Sequence, residues 1–142
     1  MKRILFVLLF ALAGLAGCGQ PKPTPQPTAA PGDAGRGATL FQQTLIGVKN
    51  APGCINCHSL TPGAVLVGPA LAGVGTRAES IIKRADYTGQ AKNTADYLRE
   101  SIVTPNAYIE EGFQPNVMRA TYGQDLSPQE VEDLVAYLLT LK

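Results

Sequence analysis

The side chains with the most reactive potential lie in one pentapeptide, Cys54-Ile55-Asn56-Cys57-His58. Two thiols three residues apart can each form a thioether to one of the two vinyl groups of a porphyrin, which is the attachment chemistry of a c-type haem. The next residue then brings an imidazole under the metal, where such a haem takes its proximal axial ligand. His58 is the only histidine of the chain, so no other residue can supply that imidazole. Two other chemistries share the Cys-x-x-Cys pattern. A thioredoxin-like redox pair sits near a βαβ pattern, and none is visible here. A zinc site needs two further ligands of cysteine or histidine type. Apart from Cys18 none remains. The motif therefore predicts one covalent haem c, held by Cys54 and Cys57, with His58 on its iron.

An iron with one histidine ligand needs a sixth ligand or an open face. Met1 departs with the leader described below, which leaves Met118 as the single methionine of the mature chain. A lone methionine is usually a flexible core filler. Met118 follows His58 by 60 residues, ample chain to wrap a porphyrin edge. His/Met is also the usual ligand pair of cytochromes c. Met118 is the expected sixth ligand; ligation by Lys or Asn, or an open site, is the alternative. A thioether favours ferrous iron and raises the reduction potential, and a closed site disfavours oxygen chemistry. The expected function is one-electron transfer and not enzymatic turnover. The competing function is a haem enzyme or a gas or redox sensor with a labile sixth ligand, which predicts that the reduced protein binds carbon monoxide.

These groups must be delivered to a compartment and then positioned. Residues 1–17 combine Lys2 and Arg3, an apolar run from Ile4 to Ala13 and small residues, the pattern of a secretory signal. Leu15-Ala16-Gly17-Cys18 resembles the lipobox of bacterial lipoproteins, in which the cysteine is acylated and becomes the new N-terminus. A plain cleaved signal and an uncleaved anchor are the other readings. Two or three acyl chains exceed the single-chain anchoring limit, so attachment would be durable. Residues 18–32 are then a tether whose alternating prolines favour extended polyproline II. A domain over 33–142 remains.

Within it, Asp33 to Ile46 reads as the first helix, capped by Asp33, with Leu40, Phe41, Leu45 and Ile46 on its apolar face. Gly37, one turn before Phe41, would let another helix approach closely. Gly68-Pro69 follows the pentapeptide as a turn. Arg77 to Ala85 reads as a short helix. Ala95 to Val103 reads as a better one, capped by Asn93 or Thr94, with Tyr97, Leu98, Ile102 and Val103 buried. Asn106 to Leu126 is a long irregular segment carrying Met118, and such length in a small domain is usually functional. Ser127-Pro128-Gln129-Glu130 is a capping box with proline at the first helical position. It starts a helix with Val131, Leu134, Val135, Leu138 and Leu141 on one face. The chain has 142 residues with 12 basic and 11 acidic side chains, two of the basic ones in the leader, and no basic stripe of the kind nucleic-acid binding needs.

Taken together, these residues resemble class I cytochrome c over nearly all of Asp33 to Lys142. Gly37 with Phe41, Cys54-Ile55-Asn56-Cys57-His58, Gly68-Pro69-Ala70-Leu71, Met118 and Leu134-Val135-Ala136-Tyr137-Leu138 fall in family order. The resemblance implies an all-α fold of helices around one haem. In it Gly37 and Phe41 meet Leu134 and Tyr137, and Pro69 accepts a hydrogen bond from His58. It further implies that Arg77 holds a haem propionate. The stretch Tyr97 to Ile109 is similar to haem domains of bacterial oxidase and quinol-oxidising complexes. Expected partners are therefore redox proteins (a quinol-oxidising complex, an oxidase or a photosynthetic reaction centre), met at the extracytoplasmic face of a bacterial membrane. The domain would act there as a tethered carrier or as a fixed subunit. Two departures stand out. Arg119 follows Met118 where proline is common, implying a less rigid ligand loop and a charge near the haem. There is no tryptophan, so Tyr87 or Tyr108 would have to replace any propionate bond a tryptophan makes.

Overall fold

The computed structural model describes residues 29–142. The leader, Cys18 and the tether as far as Thr28 lie outside the described residues. The order of elements is α1 (Ala34–Phe41), β1 (Leu45–Ile46), β2 (Ala51–Pro52), α2 (Val74–Ile81), α3 (Thr94–Val103), α4 (Tyr122–Asp125) and α5 (Pro128–Thr140). Apart from the two-residue antiparallel pair, regular structure among the described residues is helical.

The core is built on the crossing of α1 and α5. A β-carbon at Gly37 would collide with the main-chain carbonyl of Asp133, so only glycine lets the two backbones come this close. One turn on, Phe41 is fully buried and packs on Tyr137 with ring centroids 5.5 Å apart. Asp133, itself buried, locks the same seam. Its carboxylate accepts from Arg36 Nε at 2.7 Å, Arg36 Nη2 at 2.8 Å, the Asp33 amide at 2.8 Å and Gln129 Nε2 at 3.0 Å. The Arg36 hydrogen bonds hold that carboxyl far below the usual carboxylate range. The seam also takes in the end of the tether. The Ala30 amide donates to Gln129 at 2.9 Å, and Gly32 lies against the Glu132 carbonyl.

Helix α5 starts as expected. Ser127 Oγ accepts from the Glu130 amide and the Glu130 side chain accepts from the Ser127 amide, with Pro128 at the first helical position. Its buried stripe of Val131, Leu134, Val135 and Leu138 forms the floor of the domain. Helix α3 is capped by Asn93, whose side chain accepts from the Asp96 amide at 2.9 Å. It buries Tyr97, Leu98 and Ile102, while Val103 is half-buried over Gly123. Arg99 ties α3 to α5 by paired bonds of 2.7 and 2.8 Å to Glu132.

Three elements differ from the sequence reading. The first helix stops at Phe41 and does not reach Ile46. Leu45 and Ile46 instead pair with Pro52 and Ala51 across a turn in which Gly47 and Asn50 take positive φ. The alternation of a strand then buries Ile46 and leaves Leu45 56 % exposed, where a helix would have buried both. The helix expected over Arg77 to Ala85 runs from Val74 to Ile81. Left-handed Gly73 turns the chain early, and Gly75 then packs on the end of α5, its amide donating to the Leu141 carbonyl at 2.8 Å. The irregular segment from Asn106 to Leu126 contains one short helix, α4. It also closes on itself, because the Asn106 side chain accepts from the Asn116 amide at 2.8 Å and donates to the Asn116 side chain at 3.0 Å.

Candidate haem-binding site

The pentapeptide follows directly from the β1–β2 pair. The Gly53 amide donates to the Thr44 carbonyl at 2.8 Å, and a β-carbon at Gly53 would strike the Gln43 carbonyl. The chain then makes a single 3₁₀ turn over Cys54–Asn56, with the amides of Cys57 and His58 both donating to the Cys54 carbonyl at 3.1 and 3.0 Å. Asn56 fastens the turn from outside by donating to the Thr44 carbonyl at 2.8 Å. The two thiols therefore sit one turn apart, unbridged and half-buried. Burial pushes the pKa of Cys54, as a free thiol, up to about 11.

His58 is oriented from the other side by Gly68-Pro69. The Gly68 amide donates to the Cys57 carbonyl at 2.9 Å, and a β-carbon at Gly68 would overlap the His58 ring. His58 Nδ1 lies 2.9 Å from the Pro69 carbonyl oxygen. A carbonyl can only accept, so Nδ1 carries the hydrogen and Nε2 keeps a free lone pair. Burial lowers the pKa of the imidazole, which agrees with a neutral ring.

Cys54, Cys57, His58 and Met118 all line one largely apolar cavity of about 250 Å³, together with core residues such as Phe41, Leu98 and Leu134. Met118 is half-buried there and packs against the core. Arg77, expected to hold a haem propionate, is not among the cavity-lining residues, and its guanidinium is already engaged. It donates to the carbonyls of Ala72 at 3.0 Å and Ala70 at 2.8 Å, and its Nε is 3.8 Å from Glu110. Arg77 thereby holds the turn that carries Pro69. The two tyrosines divide. Tyr108 faces the cavity, whereas Tyr87 is turned away, donating to Glu100 at 2.5 Å. Tyr87 is thus spent on α3 and is no replacement for a cavity tryptophan.

A family model described as cytochrome c matches residues 34–142. The chain belongs to the cytochrome c family. No curated protein matches it. This class I cytochrome c domain carries covalent haem c as its family does, with Cys54 and Cys57 at the attachment spacing, and it is an electron-transfer protein. Its own residues fit that group. The cavity is apolar, two unbridged thiols stand one turn apart at its wall, and an imidazole with a free Nε2 lines the same space.

Two residues of the cytochrome's site escaped the sequence reading. Tyr122 lines the cavity, and its hydroxyl donates to the Pro52 carbonyl at 2.5 Å, tying α4 to the strand before the haem motif. Burial raises this phenol to about 12, which keeps the donor protonated. Asp125 is the other. It lies fully buried behind the Met118 segment, and an aspartate inside an irregular stretch reads as a surface residue. No three His, Cys, Asp or Glu side chains converge as a metal-binding group among the described residues.

Proposed function

We propose that this cytochrome is a membrane-anchored, mono-haem carrier of single electrons at the extracytoplasmic face of a bacterial membrane, with His58 and Met118 as axial ligands. The observation that carries the reading is the Nδ1 to Pro69 bond. It fixes both the tautomer and the plane of the imidazole, so that Nε2 is presented as a ready ligand in a cavity that Met118 also lines. Bound through Cys54 and Cys57, the haem supplies an iron that exchanges one electron between ferrous and ferric states. The protein supplies the rest. Apolar walls exclude water, and Arg77 keeps the Pro69 turn in place. A thioether supplied by Met118 would favour the ferrous state and would leave no open position for a small gas.

Replacing Met118 by Ala tests the ligand. The variant is expected to lose the methionine–iron charge-transfer band of the ferric protein and to bind carbon monoxide when reduced. Retention of the band would reject Met118. The leader and Cys18 support lipid anchoring, which leaves the domain either a tethered carrier or a subunit of a respiratory or photosynthetic quinol-oxidising or oxidase complex. A haem-stained native gel of mildly solubilised membranes separates the two by migration near the protein's own mass or with a large assembly. A Cys18→Ser chain that stayed in the membrane fraction would rule out the acylated cysteine as the anchor.

A further inference from the structure

The segment that presents Met118 is unusually bare. From Val117 to Ala120 no main-chain hydrogen bond is made among the described residues, and the one side-chain bond is that of Arg119. Arg119 is exposed, yet its Nε donates to Asp125 Oδ2 at 2.6 Å, and Asp125 is fully buried. Thr121 Oγ1 donates to the same oxygen at 2.7 Å. The second oxygen, Oδ1, is buried with no hydrogen bond of its own and faces Lys49 Nζ at 3.4 Å. The Asp125 main chain is used as well. Its carbonyl accepts from the Val48 amide at 3.0 Å, and Gly47 packs directly on it. One residue thus joins the Met118 segment, α4 and the turn that leads through β2 into the haem motif. A buried carboxylate is costly unless it is paired, and removing one partner strands the other.

We propose that Asp125 and Arg119 are positioning residues for Met118, an ionic latch that holds the ligand segment against the cavity in place of the backbone hydrogen bonds it lacks. The inference rests on Met118 as the axial ligand. In an exposed ion pair of the ordinary kind, loss of Arg119 changes almost nothing. In a latch, loss of either member lets the loop swing and frees the sixth position.

The test titrates the ferric haem protein with imidazole, an external ligand that competes for the position Met118 fills. Arg119→Gln and Asp125→Asn are each expected to bind imidazole about tenfold more tightly than the unaltered protein, which corresponds to about 1.4 kcal/mol. Both are expected to show a weaker methionine–iron band and a lower reduction potential. The double variant should go no further than the stronger single one, because the two residues act as a pair. Arg119→Lys, which keeps the charge, should recover most of the difference. Met118→Ala serves as the reference. If Met118→Ala fails to tighten imidazole binding, both the ligand assignment and the latch fall. If it tightens binding while Arg119→Gln stays within twofold of the unaltered protein, only the latch falls. Should Asp125→Asn not fold, Arg119→Gln decides alone, since Asp125 then keeps Thr121 and Lys49.

Discussion

The α1–α5 seam and the Met118 segment are held by opposite means. At the seam two backbones touch at Gly37, a fully buried ring fills the next layer, and Asp133 collects four donors. Between Glu111 and Ala120 most residues are exposed, and the side-chain hydrogen bonds are two ties, Asn106 to Asn116 and Arg119 to Asp125, beside the cavity contacts of Phe113, Val117 and Met118. Packing of the first kind resists local opening, because many contacts must break at once. A segment of the second kind can open by losing one tie, at a small fraction of the global stability. The Met118 segment is therefore expected to open more readily than the α1–α5 seam.

That contrast can be broken most directly at Phe41. Phe41→Ala is expected to destabilise the haem protein by about 3–5 kcal/mol, read from urea unfolding followed by circular dichroism. A loss under about 1 kcal/mol would mean that the seam is not the stable half of the molecule. Asn106→Ala should cost only about 1 kcal/mol globally, since it deletes hydrogen bonds at an exposed site. Its larger effect is local: limited proteolysis between residues 107 and 115 should speed up several-fold while the helices stay resistant. Equal cleavage rates in the two proteins would show that the Asn106–Asn116 clasp does not hold the loop.

The smallest expected effect is that of mild acid. Asp125 is held at about 2, first by its Arg119 hydrogen bond and then by Thr121 and Lys49, with the Tyr122 phenol also close by. Asp133 is held lower still by Arg36, the Asp33 amide and Gln129, against the charge of Glu132. Folded values below the unfolded one of about 3.9 mean that both carboxylates stabilise the fold above about pH 4 and lose that contribution as pH falls through the folded values. The two carboxylates should therefore contribute equally from pH 7 to pH 5. His58 differs, because burial lowers its pKa: wherever the ring is free to protonate, its contribution is lost as pH falls below the unfolded imidazole value of about 6.5. A fall in unfolding free energy that began only below about pH 4 would be the carboxylates' own, and one between pH 7 and pH 5 would be that of His58.

What could be read in advance was what is local. Ser127, Pro128 and Glu130 specify their helix start within four residues, and Asn93 caps α3 by the same short-range logic. The pentapeptide announced its chemistry by spacing alone. The meeting of Gly37 and Phe41 with Tyr137 came from resemblance, since nothing within α1 names its partner. Errors arose where a distant contact overrode local pattern. Leu40, Phe41, Leu45 and Ile46 are spaced for one helix, but Gly47 and Asn50 turn the chain back and Ala51 offers a pairing partner to Ile46. Gly73 moves α2 forward because Gly75 has the α5 terminus to pack on. Asp125 was illegible for the same reason. Its partners Lys49 and Arg119 come from two separate segments, and no window of sequence contains all three.

The seam also sets a clock for folding. Arg36 and Asp133 are 97 residues apart, so α1 and α5 can meet only once nearly the whole domain is present. Closing so long a loop costs entropy before any contact repays it, and domains dominated by such contacts fold late and slowly. Cys54 and Cys57 lie inside that loop. Leu134 and Leu138 of α5 line the same cavity as Cys54 and Cys57, so the meeting of α1 and α5 completes one of its walls.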